Sequence, residues 1–183
     1  MLAHRIPVLG FAAYSGSGKT TLLVRLLPLL RQRRLRVGLI KPTHHRFEID
    51  YPGKDSYELR QAGASQVLIG SKHGWALIVE SEAEKPPSLA DLIERLDQDR
   101  LDLILVEGFK LERIPKIEVH RPSLGKPLLS PGDPSFIAIA TDAPLEVDLA
   151  LPLLDLNQPS AIADFIINHF FVLNRRAHPF VRG

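Results

Sequence analysis

The sequence contains no cysteine, which excludes a disulfide framework and any thiolate metal site. Nowhere does it carry the ~18 to 20 consecutive uncharged apolar residues that a membrane-spanning helix needs. Its first residues, Met1-Leu2-Ala3-His4-Arg5, run directly into a strand-like segment and do not resemble a targeting leader. A cytoplasmic protein with no membrane association is expected. The formal net charge is only +2, too close to neutrality for a dedicated nucleic-acid binder. Positive charge gathers at Arg31, Arg33, Arg34 and Arg36, where a helix is expected to end. Cations offsetting the helix dipole are the favoured reading there, and an anionic ligand or acidic partner surface is the sharper one. No internal repeat is present. The 183 residues, 45% of them hydrophobic, suffice for a single domain over 1–183 with a substantial core and a frayed basic tail at 174–183.

What is present begins with Ala13-Tyr14-Ser15-Gly16-Ser17-Gly18-Lys19-Thr20-Thr21, between an apolar run and a leucine-rich stretch. This reads as a phosphate-binding loop. Gly16 and Gly18 let the backbone turn its N–H groups inward, and the helix that follows adds positive partial charge. Lys19 is expected to reach the β- and γ-phosphates and the Thr20 hydroxyl to ligate a bridging Mg²⁺, with Thr21 nearer the α-phosphate. A dinucleotide fingerprint fits worse, because Thr21 stands where its third glycine belongs.

The flanking pattern is that of an α/β chain with a mostly parallel sheet. Ile6 to Ala13 reads as a buried strand, about Gly18 to Arg33 as a helix interrupted by Pro28, and Leu35 to Ile40 as the next strand. Lys41 to Ser56 is polar and broken by Pro42, Pro52 and Gly53. It follows a strand's carboxyl end, the edge where ligands bind in open α/β sheets. Asp50 and Asp55 are its candidate catalytic acids, able to hold Mg²⁺ through water or orient an attacking water, and Asp55 is equally suited to cap the helix from Ser56 to Ala62. His44 and His45 read as ordinary loop histidines, because adjacent side chains point apart and no metal-ligand spacing completes a site. Gln66–Ile69 and Trp75–Glu80 read as a hairpin extending the sheet, with Trp75 either at a dimer surface or in local core. Ser88 is placed to cap a helix with Leu89, Leu92, Ile93 and Leu96 on one face.

Leu101 to Phe109 is the second informative run, an apolar strand with an acid near each end. Asp102 and Glu107 are separated by roughly 16 Å in an extended strand, so they occupy opposite sheet edges. Glu107 lies on the ligand edge and is the expected magnesium-side acid, with the adjacent Gly108 offering a backbone N–H toward the γ-phosphate. Lys116–His120 and Ser135–Thr141 read as further strands joined by a surface loop. Asp142, beyond the second of these, and Asn157 are candidate contacts to a nucleotide base, although a turn-forming Asp is as ordinary. No Asn-Lys-x-Asp string occurs, so guanine preference does not follow from the residues. A last helix is expected with Ile162, Phe165, Ile166, Phe170 and Leu173 on one face.

Taken together, Ser15 to Thr21, Thr43-His44-His45, Pro52-Gly53-Lys54-Asp55-Ser56-Tyr57, Ala62-Gly63-Ala64, Asp102 to Lys110, Asp155-Leu156-Asn157 and Ala163-Asp164-Phe165 resemble the MobB family, the molybdopterin-guanine dinucleotide biosynthesis adaptor proteins. The resemblance spans nearly the whole chain. It implies a homodimer of P-loop type that binds GTP with Mg²⁺, hydrolyses it weakly and assists the molybdopterin guanylyltransferase that joins GMP to molybdopterin. It carries phosphate contacts onto Gly16, Gly18, Lys19, Thr20 and Thr21, and acidic roles onto Glu107 and Asp50 or Asp55. Pro42 and Arg46 depart from the family pattern, which counts against metal or proton-transfer roles for the loop histidines. A small-molecule kinase and a GTPase metallochaperone are the alternatives that the loop leaves open.

Overall fold

The computed structural model describes residues 5–43, 49–80, 86–145 and 150–172. In chain order the elements are β1 (Val8–Ala12), α1 (Lys19–Gln32), β2 (Val37–Ile40), α2 (Asp55–Gln61), β3 (Gln66–Ser71), β4 (Gly74–Val79), α3 (Leu89–Glu94), β5 (Leu103–Glu107), β6 (Lys116–His120), β7 (Phe136–Thr141), β8 (Leu153–Asp155) and α4 (Pro159–Phe165). The chain divides into two compact units, residues 1–42 with 88–183, and residues 43–87. Among the described residues no helix is long and apolar enough to cross a membrane.

The larger unit is built on a six-stranded sheet of order β2-β5-β1-β6-β7-β8 with every neighbouring pair parallel. Both faces are covered, which is why β1 and the first four residues of β5 are apolar without alternation and fully buried. The two-residue period sorts them. Leu9, Phe11, Leu103 and Leu105 pack with Leu22, Leu23, Leu26 and Leu30 of α1 and with Ile162 and Ala163 of α4. Val8, Ile104 and Val106 turn the other way, against Leu89 and Ile93 of α3. Pro28 sits on the exposed side of α1 and the helix continues through it to Gln32, where water can satisfy the carbonyl that Pro28 leaves without a donor.

The arginine cluster is engaged structurally. Arg33 bonds Asp164, and Arg36 grips Asp102 through Nε and NH2 while its backbone N–H donates to the same carboxylate. Asp102 therefore fastens the amino-terminal edge of the sheet, and two of the four arginines serve packing. Ser88 and Asp91 form the reciprocal cap expected at α3. Strand β8 was not expected. Three residues are too few for a periodic signal, and the strand exists because its backbone extends β7. The final helix becomes π-helical over Ile166–Phe170, and Leu173, expected on its apolar face, lies outside the described residues together with the tail.

Lys116 opens β6 fully buried. Its ammonium donates to the carbonyls of Lys110 (2.7 Å) and Glu112 (2.9 Å) and to Asp133 (3.0 Å), so three acceptors replace water. The lysine thereby fastens the segment that leaves β5 to the turn that enters β7.

In the smaller unit, β3 and β4 form the expected hairpin, as a two-stranded antiparallel sheet of its own and not as strands added to the parallel sheet. Trp75 is 74% exposed, which rules out a place in local core. Asp55 is the first residue of α2, and Lys54 takes the cap position with no side-chain cap. The expected capping role for Asp55 is thus corrected, because its residue already has helical backbone geometry. The Arg60 side chain is largely covered and bonds both Asp50 and Glu80, joining α2 to the segment before it and to the residue that follows β4.

Burial raises the Asp133 pKa, but hydrogen bonds from Ser135 and Lys116 outweigh it and hold the carboxyl at about 2. Its folded value lies below the ordinary ~3.9, so its contribution is fully present above that value and is lost as pH falls through about 2. Asp133→Asn is expected to lower the melting temperature near neutrality. Thermal melts over a pH series should show the gap to the parent protein closing between those two values, and a constant gap would contradict the assignment.

Candidate functional site

The parallel sheet brings the carboxyl ends of β2, β5, β1, β6 and β7 to one edge, and the loop from β1 to α1 crosses it. Gly16 and Gly18 have φ of 81° and 88°, a left-handed geometry that favours glycine. Gly18 is the cap residue of α1, and no side chain caps that end. The first amides of a 14-residue helix are therefore left to an anionic ligand or to water. Ser17 is buried and its Oγ has no hydrogen-bond partner. These features fit a bound phosphate chain.

Glu107 ends β5 beside this loop, in register with Phe11. Its Oε1 accepts from Thr20 Oγ1 at 3.0 Å, and Lys41 Nζ stands 3.7 Å from Oε2. The two residues expected on the magnesium side are thus brought together, with Asp102 at the far edge. Among the described residues no cluster of three or more His, Cys, Asp or Glu side chains could hold a metal by itself. A hydroxyl, one carboxylate and ligand phosphates suit Mg²⁺, which keeps several waters and seldom needs an all-protein cage.

Lys19 has its pKa lowered by burial, with Glu107 opposing the shift and Lys110 and Lys41 adding to it. Lys110 lies over the Tyr14 ring, 4.5 Å from its centroid. Three lysines and one glutamate therefore share this corner, an imbalance that favours an anion. Lys41 and Lys110 carried no sequence-based role, although Lys41 directly follows β2 and Lys110 comes three residues after Glu107 ends β5.

Several expected contacts are engaged differently. Gly108 has φ of 106°, but its N–H donates to Phe11 O at 3.1 Å. The amide expected at a γ-phosphate here joins the end of β5 to β1, and the glycine serves a turn against Pro42, which a Cβ would approach to 3.2 Å. Asp142 is ion-paired with Arg121, and Arg121 Nε donates to Ser17 O at 3.0 Å. Asn157 donates its backbone N–H to Asp155 at 2.8 Å and borders an open groove with Arg25, Pro28 and Leu29. Asp50 and Asp55 belong to the smaller unit, and Asp50 is buried against Arg60. His44 and His45 lie outside the described residues. Arg121 went unnoticed in the sequence, yet the rule that selected Glu107 and Asp142, a polar residue just past a strand's carboxyl end, selects it equally.

With this geometry in view, the family model for MobB, "Molybdopterin guanine dinucleotide synthesis protein B", matches residues 8–142. The chain belongs to the MobB family. It is 51% identical over 163 residues to the molybdopterin-guanine dinucleotide biosynthesis adapter protein of Escherichia coli strain K12, spanning 88% of this chain and 92% of that one. It is 48% identical over 165 residues to the protein of the same description from Haemophilus influenzae Rd, spanning 90% of each. Among solved structures, a molybdopterin-guanine biosynthesis protein B superposes with a TM-score of 0.69 at 28% identity over 88% of this chain and 97% of that one. A MobB homologue from Bacillus stearothermophilus gives 0.65 at 26% identity over 90% and 98%. The MobB match includes the loop, Glu107, Arg121 and Asp142, so the corner described above lies within the family's shared region.

Lys19 should titrate below the ordinary lysine value in the ligand-free protein, followed by NMR of reductively ¹³C-methylated lysines. Glu107→Gln removes the one neighbour that raises its pKa and is expected to move it lower still. An unchanged or higher Lys19 titration in that variant would show that the carboxylate does not face the ammonium.

Proposed function

We propose that this chain is a GTP-binding adaptor of molybdopterin-guanine dinucleotide biosynthesis, acting with the guanylyltransferase that joins GMP to molybdopterin. The adaptor role follows from what its relatives are named for. The nucleotide reading is carried by one observation, the uncapped amino end of α1 with Lys19 beside it and Thr20 already bonded to Glu107. In this reading the loop amides and Lys19 hold the β- and γ-phosphates, and Thr20 with Glu107 holds Mg²⁺ directly or through water. The metal supplies charge neutralisation between phosphate oxygens. Hydrolysis is weak, because Glu107, the acid beside the loop, is already engaged by Thr20 and Lys41. Nucleotide binding alters the surface offered to the partner enzyme.

The protein acts as a homodimer. On β3 and β4 the paired positions Leu68 with Leu77, together with Trp75 and Val79, share one sheet face and are all exposed. An apolar face of that kind is suited to a second copy of itself, which would supply the same aromatic and aliphatic side chains.

Calorimetric titration of GTP and ATP with Mg²⁺, followed by addition of the guanylyltransferase, tests this directly. Lys19→Ala is expected to weaken GTP binding at least a hundredfold, about 2.7 kcal/mol, without lowering the melting temperature. Glu107→Gln should reduce the Mg²⁺-dependent part of the affinity, while Asp102→Asn should leave binding alone and lower stability. Equal loss from Asp102→Asn and Glu107→Gln would place the site at the wrong edge of the sheet.

A further inference from the structure

Arg121 follows β6 and reaches the phosphate loop from outside. Its Nε donates to Ser17 O at 3.0 Å and its NH1 to the Asp142 carboxylate. The Ser17–Gly18 peptide is trans, since the described residues contain no cis bond. In a trans peptide the carbonyl and the following N–H point in opposite directions. A carbonyl turned out toward Arg121 therefore turns the Gly18 N–H away from Arg121 and into the loop, where a phosphate would lie.

The backbone bonds Ser17 N–H to Tyr14 O (3.4 Å) and Leu22 N–H to Gly18 O (2.9 Å) hold the flanking residues, while Arg121 is the side chain that grips this carbonyl. Gly18 has φ of 88°, and glycine crosses between peptide orientations without the steric barrier that other residues meet. A Cβ built on Gly18 would touch only Arg121, at 3.4 to 4.0 Å, so the guanidinium is the wall on that side. The planar guanidinium holds the carbonyl and the carboxylate through donors fixed in one fork, a geometry that the single rotatable ammonium of a lysine does not reproduce. Asp142 in turn keeps the fork from swinging toward solvent, both side chains being partly buried.

We propose that Arg121 is a positioning residue of the phosphate loop, holding the Ser17–Gly18 peptide with its N–H facing the ligand, and that Asp142 is its anchor and not a reader of the base. The assignment rests on the nucleotide-binding reading above and adds to it the residue that presets the loop.

The full-length protein is compared with Arg121→Ala, Arg121→Lys, Asp142→Ala and the double variant Arg121→Ala/Asp142→Ala. Affinities for Mg·GTP, Mg·ATP and inorganic tripolyphosphate are measured by calorimetry, with the Gly18 backbone amide followed by ¹⁵N–¹H NMR. Arg121→Ala and Arg121→Lys should each weaken all three ligands by a common factor, about tenfold for one oriented hydrogen bond. The GTP to ATP ratio stays constant, and the shift of the Gly18 amide on adding tripolyphosphate shrinks in both variants. Asp142→Ala should move the same readings in the same direction by less, and the double variant should be no weaker than Arg121→Ala. A merely structural role would lower the melting temperature without moving the amide shift.

Parental binding retained in Arg121→Ala would overturn the assignment while leaving the nucleotide reading intact. Full affinity in Arg121→Lys would overturn it too, by showing that charge alone suffices. A changed GTP to ATP ratio in Asp142→Ala, with tripolyphosphate unaffected, would return Asp142 to the base. A parent protein that binds none of the three ligands would remove the nucleotide reading itself, and this assignment with it.

Discussion

Strand parallelism is the constraint from which the site follows. Because each pair in the six-stranded sheet is parallel, every strand must return by a crossover and every carboxyl end reaches the same edge. Residues far apart in sequence then meet without a dedicated scaffold: Thr20 and Glu107 at 3.0 Å, Ser17 and Arg121 at 3.0 Å, Lys41 and Glu107 at 3.7 Å. The same parallelism buries both faces of β1 and β5, so the strands that carry the loop and the acid are the least free to move. A site assembled from loops is rigid here because its roots are core.

The opposite edge does different work with similar residues. Asp102 and Glu107 are acids at the two ends of one strand, yet Asp102 accepts three hydrogen bonds from Arg36 while Glu107 faces a hydroxyl and a lysine. Strand direction decides which acid fastens and which is available to a ligand. Lys116 and Lys19 divide the lysines in the same way. Lys116 is satisfied by two carbonyls and a carboxylate, whereas Lys19 is left with its pKa lowered, the condition of a cation short of acceptors.

What could be read from the sequence follows the range of the interaction involved. The glycine turn before α1, Glu107 at the carboxyl edge of the sheet, the helix of Ser88 and the hairpin were legible because turn chemistry, strand direction and periodicity are local. Asp55 as cap was misplaced by one residue, the usual uncertainty of a helix end. Trp75 was undecided because a hairpin's own alternation does not say which face meets something else. Gly108 and Asp142 were expected to meet a ligand and are instead engaged by Phe11 O and Arg121, partners about a hundred and about twenty residues away in the chain. Neither Lys116 nor Arg121 drew notice, since a lone basic residue at a strand end carries no pattern until the topology supplies its acceptors. The MobB resemblance was legible for another reason. It rested on several short runs in order, where any one alone names only a loop or a strand.

The depressed Lys19 also fixes how stability and ligand binding are linked. For a base whose folded-state pKa lies below its unfolded value, the unfolded chain binds more protons between the two, so stability rises with pH across that interval. Near neutrality the charged ammonium is therefore a cost carried by the folded protein, increased by Lys41 and Lys110 and relieved only in part by Glu107. In the proposed reading, an anion at the uncapped end of α1 would offset that cost, because it would face the folded arrangement of cations and not the unfolded chain. The gathering of three lysines about one glutamate is thus both a cost to the folded chain and the feature from which an anion site is proposed.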